Sequence, residues 1–367
     1  MLKYKEGGLE YSLKDYGLPA SIEDEAAMHK GLFLARVASQ GKGVFQVAGV
    51  EGLFLARVSG RFAYSANHPG NYPAVGDWVI VDKTGGDGGD GTIHHVLERR
   101  SVFARRGAGT AGGAQVIAAN IDTLLICMSL NGDFNLRRLE RYLAIAWDSG
   151  AQPVVVLTKT DLCPDLASHI SLIEPIAMGC PIIACSAENG DGLDEVRQYA
   201  SKGKTIAFVG SSGVGKSTLA NKLLGSDVLE TNEIRENDGR GRHTTSSRQM
   251  LLIPGGGILI DTPGMRELGI YSANLDKAFE DILEIAQDCR YSDCSHTSEP
   301  GCMVQQAISN GSLDAKRFEG FQKLQREAGY EGLTSRQLEN EKIKRMFGGK
   351  NNMKQRLKEV KDKKHKR

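Results

Sequence analysis

The run Gly210-Ser211-Ser212-Gly213-Val214-Gly215-Lys216-Ser217 constrains this chain more than any other feature. It follows the apolar stretch 205–209 and opens an amphipathic stretch, so the pattern G-x-x-x-x-G-K-[ST] stands between a predicted strand and a predicted helix, where it forms a phosphate-binding loop. Glycines let the backbone curl until successive N–H groups point at phosphate oxygens, and the start of the helix adds a favourable dipole. Lys216 supplies a mobile positive charge, and the Ser217 hydroxyl, with Thr218 behind it, suits a phosphate-bound magnesium ion.

A phosphate loop does not choose between adenine and guanine. Thr158-Lys159-Thr160-Asp161, at the end of the apolar stretch 153–157, can make that choice. The Asp161 carboxylate can accept from the N1–H and N2–H₂ of guanine together, whereas adenine would leave it unsatisfied at a cost of about 1–3 kcal/mol or more. The Lys159 stem can lie along the base plane. This motif ordinarily begins with Asn, whose amide braces the phosphate loop; Thr158 lacks that amide, so some loss of bracing is expected. Cys185-Ser186-Ala187, after the stretch 181–184, offers the backbone N–H groups of Ser186 and Ala187 to guanine O6.

Asp261-Thr262-Pro263-Gly264 follows the stretch 258–260. Asp261 can hold magnesium through water, and the Gly264 N–H can sense a γ-phosphate. Before it lies Gly239-Arg240-Gly241-Arg242-His243-Thr244-Thr245, a basic segment with threonine hydroxyls where a switch loop belongs. Met265 stands where a water-orienting glutamine is common, so unassisted turnover should be slow. His243 could replace that group, or simply contact phosphate or RNA.

The base-reading motif therefore precedes the phosphate loop, a rotation of the usual order. One sheet tolerates this because every such loop sits at a strand's carboxyl end. The chain after Gly264 then leads into the C-terminal region, so rearrangement there should move that region.

At 367 residues the chain divides into several domains. We expect a polar lead-in (1–30), a barrel of short alternating strands (31–105), an α/β nucleotide domain with a mostly parallel sheet (106–274), a helical domain (275–340) and a basic tail (341–367). The formal net charge of +1 conceals about ten excess basic groups in residues 342–367, which suits a polyanionic partner. No apolar stretch approaches the ~20 residues of a membrane span, and residues 1–10 lack the apolar segment of a signal peptide, so a cytoplasmic protein is expected. The aspartates among residues 85–91 lack the spacing of a calcium loop and suit a hairpin connection.

Cys289-x₄-Cys294-x-His296-x₅-Cys302 gathers four ligands within fourteen residues, between two helical stretches. That spacing suits one structural zinc ion, with no open position for catalysis. In and just past the barrel, Arg57, Arg61, Phe62, Tyr64, Arg99, Arg100, Arg105 and Arg106 mix cations with aromatics in the manner of an oligonucleotide-binding surface.

With these motifs together, residues 31–324 closely resemble the RsgA/YjeQ family of circularly permuted, small-ribosomal-subunit-dependent GTPases. The resemblance is carried by Val75-Gly76-Asp77-Trp78-Val79, Gln115-Val116-Ile117-Ala118-Ala119-Asn120-Ile121-Asp122, GSSGVGKS, GRGRHTT, DTPG and the Cys-Cys-His-Cys cluster. It implies an OB-fold RNA-binding domain, a magnesium-dependent GTPase, one zinc ion, and a monomer that acts on the small ribosomal subunit and its rRNA during late maturation, with ribosome-stimulated hydrolysis timing release. Two other readings stay open: an RNA-binding scaffold that holds GTP without turnover, and an ATP-using P-loop enzyme of nucleic-acid metabolism.

Overall fold

The computed structural model describes residues 4–6, 9–66, 69–85, 89–106, 114–131, 133–229, 248–261 and 275–329, with the single positions 337, 340, 343 and 352. His243, Thr244, Thr245, Gly264 and Met265 lie outside the described residues, as does nearly all of the basic tail.

The chain starts with a hairpin of β1 (Tyr4–Glu6) and β2 (Leu9–Tyr11) and the helix α1 (Ala20–Ala27). Five strands follow: β3 (Phe33–Gln40), β4 (Phe45–Gly49), β5 (Gly52–Val58), β6 (Trp78–Val81) and β7 (Gly91–Val96), with α2 (Gly60–Ser65) after β5. Their order is β3-β4-β5-β7-β6, and β6 returns to pair with β3, which closes a five-stranded barrel. Alternate residues Ala35, Val37, Val47, Ala56, Val79, Val81 and Ile93 fill its interior, as the period of two requires. β6 and β7 are antiparallel neighbours, so residues 82–90 connect a hairpin as expected.

A two-stranded unit of β8 (Val102–Arg106) and β9 (Ala114–Ala119) leads into the second half of the molecule. There the elements are β10 (Thr123–Ser129), α3 (Leu136–Ser149), β11 (Gln152–Thr158), α4 (Leu166–Ile173), β12 (Ile182–Cys185), α5 (Leu193–Tyr199), β13 (Thr205–Val209), α6 (Lys216–Leu224), β14 (Arg248–Leu252) and β15 (Ile258–Asp261). Strands β12-β11-β10-β13-β15 run parallel in that order. β10 and β13 are buried along their whole length because helices cover both faces, which is why their sequences read as unbroken apolar runs. One face packs Leu124, Ile126, Val155 and Leu157 under α3; the other packs Leu125, Cys127, Val154 and Val156 under α5 and α6.

Three helices complete the described chain: α7 (Glu280–Gln287), α8 (Met303–Ser309) and α9 (Ala315–Ala328). These helices share their core with the neighbouring half of the molecule. Phe279, Ile282, Phe318 and Phe321 join the cluster that contains Leu139, Tyr142 and Leu143 of α3. Arg317 pins them further: it bonds Glu140 at 2.9 Å and Asp281 at 2.7 Å and lies over the Phe279 ring. Arg137 with Asp314 and Arg141 with Glu327 form two outer pairs of the same seam.

The barrel is not a separate bead. β14 is antiparallel to β15 on one side and to β3 on the other, with Gln249 opposite both Asp261 and Ser39, so one sheet runs from the nucleotide half into the barrel. Arg36 seals the joint. Fully buried, it donates to the carbonyls of Tyr16, Gly76 (3.1 Å) and Asn120 (3.1 Å) and to the Thr205 hydroxyl (3.1 Å). At Gly76 (φ +93°) an added Cβ would lie 2.1 Å from the Ala119 carbonyl oxygen, so only glycine admits this contact. The two motifs around Gly76 and Asn120 thus meet here. The lead-in, from which sequence drew nothing, buries Tyr16 and Ile22 against Trp78 and Ile80.

Candidate functional site

The carboxyl ends of the parallel strands bring the candidate nucleotide loops to one edge. Register sets Thr158 beside Cys185 and beside Ser129, and Ala207 beside Ile260, so the carboxyl ends of β11, β12, β13 and β15 lie along one edge of the sheet. Gly210 (φ +144°) starts the phosphate loop where a Cβ would strike the Cys127 carbonyl oxygen at 2.4 Å. Ser212 and Gly213 face solvent, Val214 is anchored in the core, and Gly215 hands over to α6 with Lys216, Ser217 and Thr218 in its first turn. Lys216 Nζ lies over the loop and donates to the Gly210 carbonyl at 2.9 Å. From β15 Asp261 faces the same ammonium: burial pushes its carboxyl above the ordinary range, and Lys216 draws it part of the way back.

Thr158 keeps one bond to the phosphate loop in place of the missing amide. Its hydroxyl, buried at the end of β11, donates to the Val214 carbonyl at 2.6 Å. The brace is therefore made by a shorter side chain because the register of β11 brings the backbone of the loop within reach. Lys159 follows in the left-handed region (φ 58°), which turns the chain so that Thr160 and Asp161 begin a short 3₁₀ turn. The Ser186 hydroxyl, from the loop after β12, donates to Asp161 Oδ1 at 2.6 Å. Ser186 is fully buried and Ala187 half-buried beside it, so a fixed hydroxyl holds the carboxylate that sequence assigned to the base.

Two further side chains join this edge that sequence reading did not single out. Arg138, in the first turn of α3, bonds the Ser211 hydroxyl and, at 2.7 Å, Asp133. The available signal was position: residues 130–135 leave the carboxyl end of a buried strand, where loops of this sheet carry function.

The second candidate site lies among the C-terminal helices. Cys289, Cys294, His296 and Cys302 place one ligand atom each within 4.8 Å of one another. Both Cys289 Sγ and Cys302 Sγ lie 3.5 Å from His296 Nδ1, and the two sulfurs are 4.0 Å apart. Around tetrahedral zinc, bonds of about 2.3 Å to sulfur and 2.0 Å to nitrogen require sulfur–nitrogen separations of about 3.6 Å and sulfur–sulfur separations of about 3.8 Å, so Cys289, His296 and Cys302 stand near zinc-bound spacing, with Cys294 within 4.8 Å of them as the fourth candidate ligand. Cys302 caps α8, accepting from Gln305 N at 3.4 Å, and Gln305 Nε2 donates to the His296 carbonyl at 2.6 Å, which fixes the turn carrying the imidazole.

The expected RNA-facing set is divided. Arg99 forms a two-point ion pair with buried Asp77 (2.7 and 2.8 Å) and bonds the carbonyls of Gly70 and Tyr72. It is a structural cation, because burial of Asp77 demands a partner. Arg100 pairs with Asp122 and Arg57 with Asp90. Arg61, Phe62 and Tyr64 ride on α2, where Tyr64 is 90% exposed. The side chains of Arg105 and Arg106 lie outside the described residues.

Known proteins agree with this arrangement. The RsgA GTPase family pattern matches residues 96–271. The chain is 50% identical over 343 residues to the "Small ribosomal subunit biogenesis GTPase RsgA 2" of Lactiplantibacillus plantarum, covering 94% of this chain and 97% of the relative. It is 41% identical over 338 residues to the "Small ribosomal subunit biogenesis GTPase RsgA" of Methanosarcina acetivorans, covering 90% of each. Among solved structures, YjeQ from Thermotoga maritima superposes with a TM-score of 0.59 at 27% identity, over 81% of this chain and 98% of that one. YloQ, a circularly permuted GTPase, shares the fold with a TM-score of 0.56 at 22% identity, over 82% of this chain and 96% of that one. A rotated set of nucleotide loops on one sheet edge, with relatives matched nearly end to end, places this chain in the RsgA GTPase family.

Proposed function

We propose that this chain is a GTP phosphohydrolase of small-ribosomal-subunit biogenesis. The observation that carries the reading is the linkage of two loops: Thr158 ties the start of the base-reading loop to Val214 of the phosphate loop, while Ser186 holds Asp161 beside it. Base and phosphates would then be held by one rigid edge, with Asp161 accepting from guanine, Lys159 along its face, and Ser186 and Ala187 N–H groups near O6. Loop residues 210–216 would cradle the phosphates. Ser217 and Asp261 would hold magnesium, which supplies charge neutralisation on the β- and γ-oxygens. Thr244 or Thr245 and the Gly264 N–H would close over the γ-phosphate, and His243 is the group offered for the attacking water.

Cys289, Cys294, His296 and Cys302 would hold one zinc ion in a structural role. The closed barrel has the strand order of an OB-fold, which supports an rRNA-facing role with α2 and the basic tail contributing. The domain division drawn from sequence, a cytoplasmic location and a monomeric state belong to the same reading. Among the described residues no helix is long and apolar enough to cross a membrane.

Phosphate release from GTP, measured with and without small ribosomal subunits, tests the whole. We expect slow turnover alone and acceleration by the subunit; no release in either case would leave a GTP-holding scaffold. In the same series Asp161→Asn should lower GTP affinity by about tenfold or more and leave ATP affinity unchanged. Equal affinity of the parent protein for GTP and ATP would reject the assignment of Asp161 and favour an ATP-using enzyme.

A further inference from the structure

Beyond the residues named by the phosphate-loop pattern, one side chain from α3 bonds that loop. Arg138 Nη1 meets the Ser211 hydroxyl and lies 2.7 Å from Asp133 Oδ1. The guanidinium, then the Ser211 hydroxyl, hold the Asp133 carboxyl below the ordinary range against the opposing effect of burial, so it stays ionised and keeps Arg138 in place. The backbone beneath is fixed as well, because Asn135 caps α3 by accepting from Arg138 N at 3.0 Å. Arg138, Asp133 and Ser211 line one cavity with Cys127 and Leu139.

Thr158, at the end of β11, bonds the Val214 carbonyl. The loop is thus held at its second and its fifth residue, by one side chain from α3 and one from the end of β11. A glycine-rich loop that must be ordered at the moment of binding gives up backbone entropy at that step; one ordered beforehand does not.

Resting on the nucleotide-binding reading above, the geometry points to Arg138 as a positioning residue for guanine nucleotide: through the Ser211 hydroxyl it holds the first turn of the phosphate loop in its binding curl, with Asp133 setting the guanidinium. Acting through Ser211, Arg138 sets the loop and is assigned no contact with the reacting phosphate. The contribution is therefore equal in the ground and transition states, and its loss raises KM and leaves kcat in place. GDP and GTP are affected alike.

The test is a cycle of Arg138→Met, Ser211→Ala and the double variant, with Arg138→Lys as the conservative replacement, read by GTP and GDP affinity, kcat, KM and melting temperature. Each single change to Met or Ala should weaken both nucleotides by about fivefold to tenfold with kcat within about twofold. The double variant should be no weaker than Arg138→Met, and Arg138→Lys should recover part of the loss. Additive losses in the double variant would overturn the inference, since Arg138 would then act without Ser211. So would affinities within about twofold of the parent accompanied by a lowered melting temperature, which is the mark of a purely structural arginine. A parent protein that binds neither GTP nor GDP removes the functional reading itself; a parent that binds both, with unaffected variants, removes only the role of Arg138.

Discussion

At the barrel joint the Arg36 guanidinium is fully buried and donates to backbone carbonyls and a threonine hydroxyl. At the seam between α3 and α9, by contrast, Arg137, Arg141 and Arg317 each meet a carboxylate, and the Arg137 and Arg141 pairs sit near the surface. Burial brings Arg36 down to about 10, yet leaves it charged at neutral pH. Its partners are neutral dipoles shielded from ions, so salt has little hold on the joint; the outer pairs of the seam are open to screening. One attachment is a weld, and the other can be tuned.

The largest effect should come from Arg36→Met, which withdraws donors from the carbonyls of Tyr16 and Asn120 and from Thr205. With about 1–3 kcal/mol for each buried acceptor left unpaired, a loss near 4 kcal/mol is expected in urea unfolding. A loss under about 1 kcal/mol would mean that the continuous sheet alone holds the barrel, and the contrast would fail.

Metal removal comes next. Stripping the cysteine cluster with a chelator should cost about 3 kcal/mol, below the ~10–16 kcal/mol of isolated finger peptides, because α7 and α9 keep their packing on α3. Calorimetry should show the C-terminal helices melting before the remainder; a single transition unmoved by chelator would argue against a structural ion. Arg141→Ala should have the smallest effect. Its partner Glu327 is about equally exposed, with side-chain accessibilities of 32% and 30%, so the loss should stay below about 1 kcal/mol. The gap between variant and parent melting temperatures should close near 1 M salt, where the Debye length is about 3 Å. A loss that salt does not touch would place the seam with the joint.

Much of the sheet was legible because its strands are covered on both faces and its loops carry glycines or ligating side chains at fixed spacing. The 289–302 cluster was legible for the same reason. What escaped depends on partners distant in the chain. Arg36, in the alternating strand 33–40, looks like any outward cation, and its contact with Thr205 lies 169 residues away. Arg99 resembled a phosphate contact until Asp77 appeared opposite it. Thr158 was judged by the side chain it lacks, while the register that brings Val214 to its hydroxyl has no local signature. The short run 248–252 gave no sign that it would lie antiparallel between two halves of the molecule.

That last strand bears on how the protein can be dissected. β14 pairs with β15 from Gln249 to Leu252 and, at Arg248 and Gln249, with Gln40 and Ser39 of β3 in the barrel. An excised nucleotide half, trimmed of the N-terminal hundred or so residues, would lose the β3 partner at Arg248 and Gln249 and leave β14 as an uncovered edge strand, a template for pairing with another copy. Truncation would thus trade a folded partner for self-association, and poor behaviour of such a fragment would reflect the cut and not a lack of intrinsic foldability in the nucleotide half.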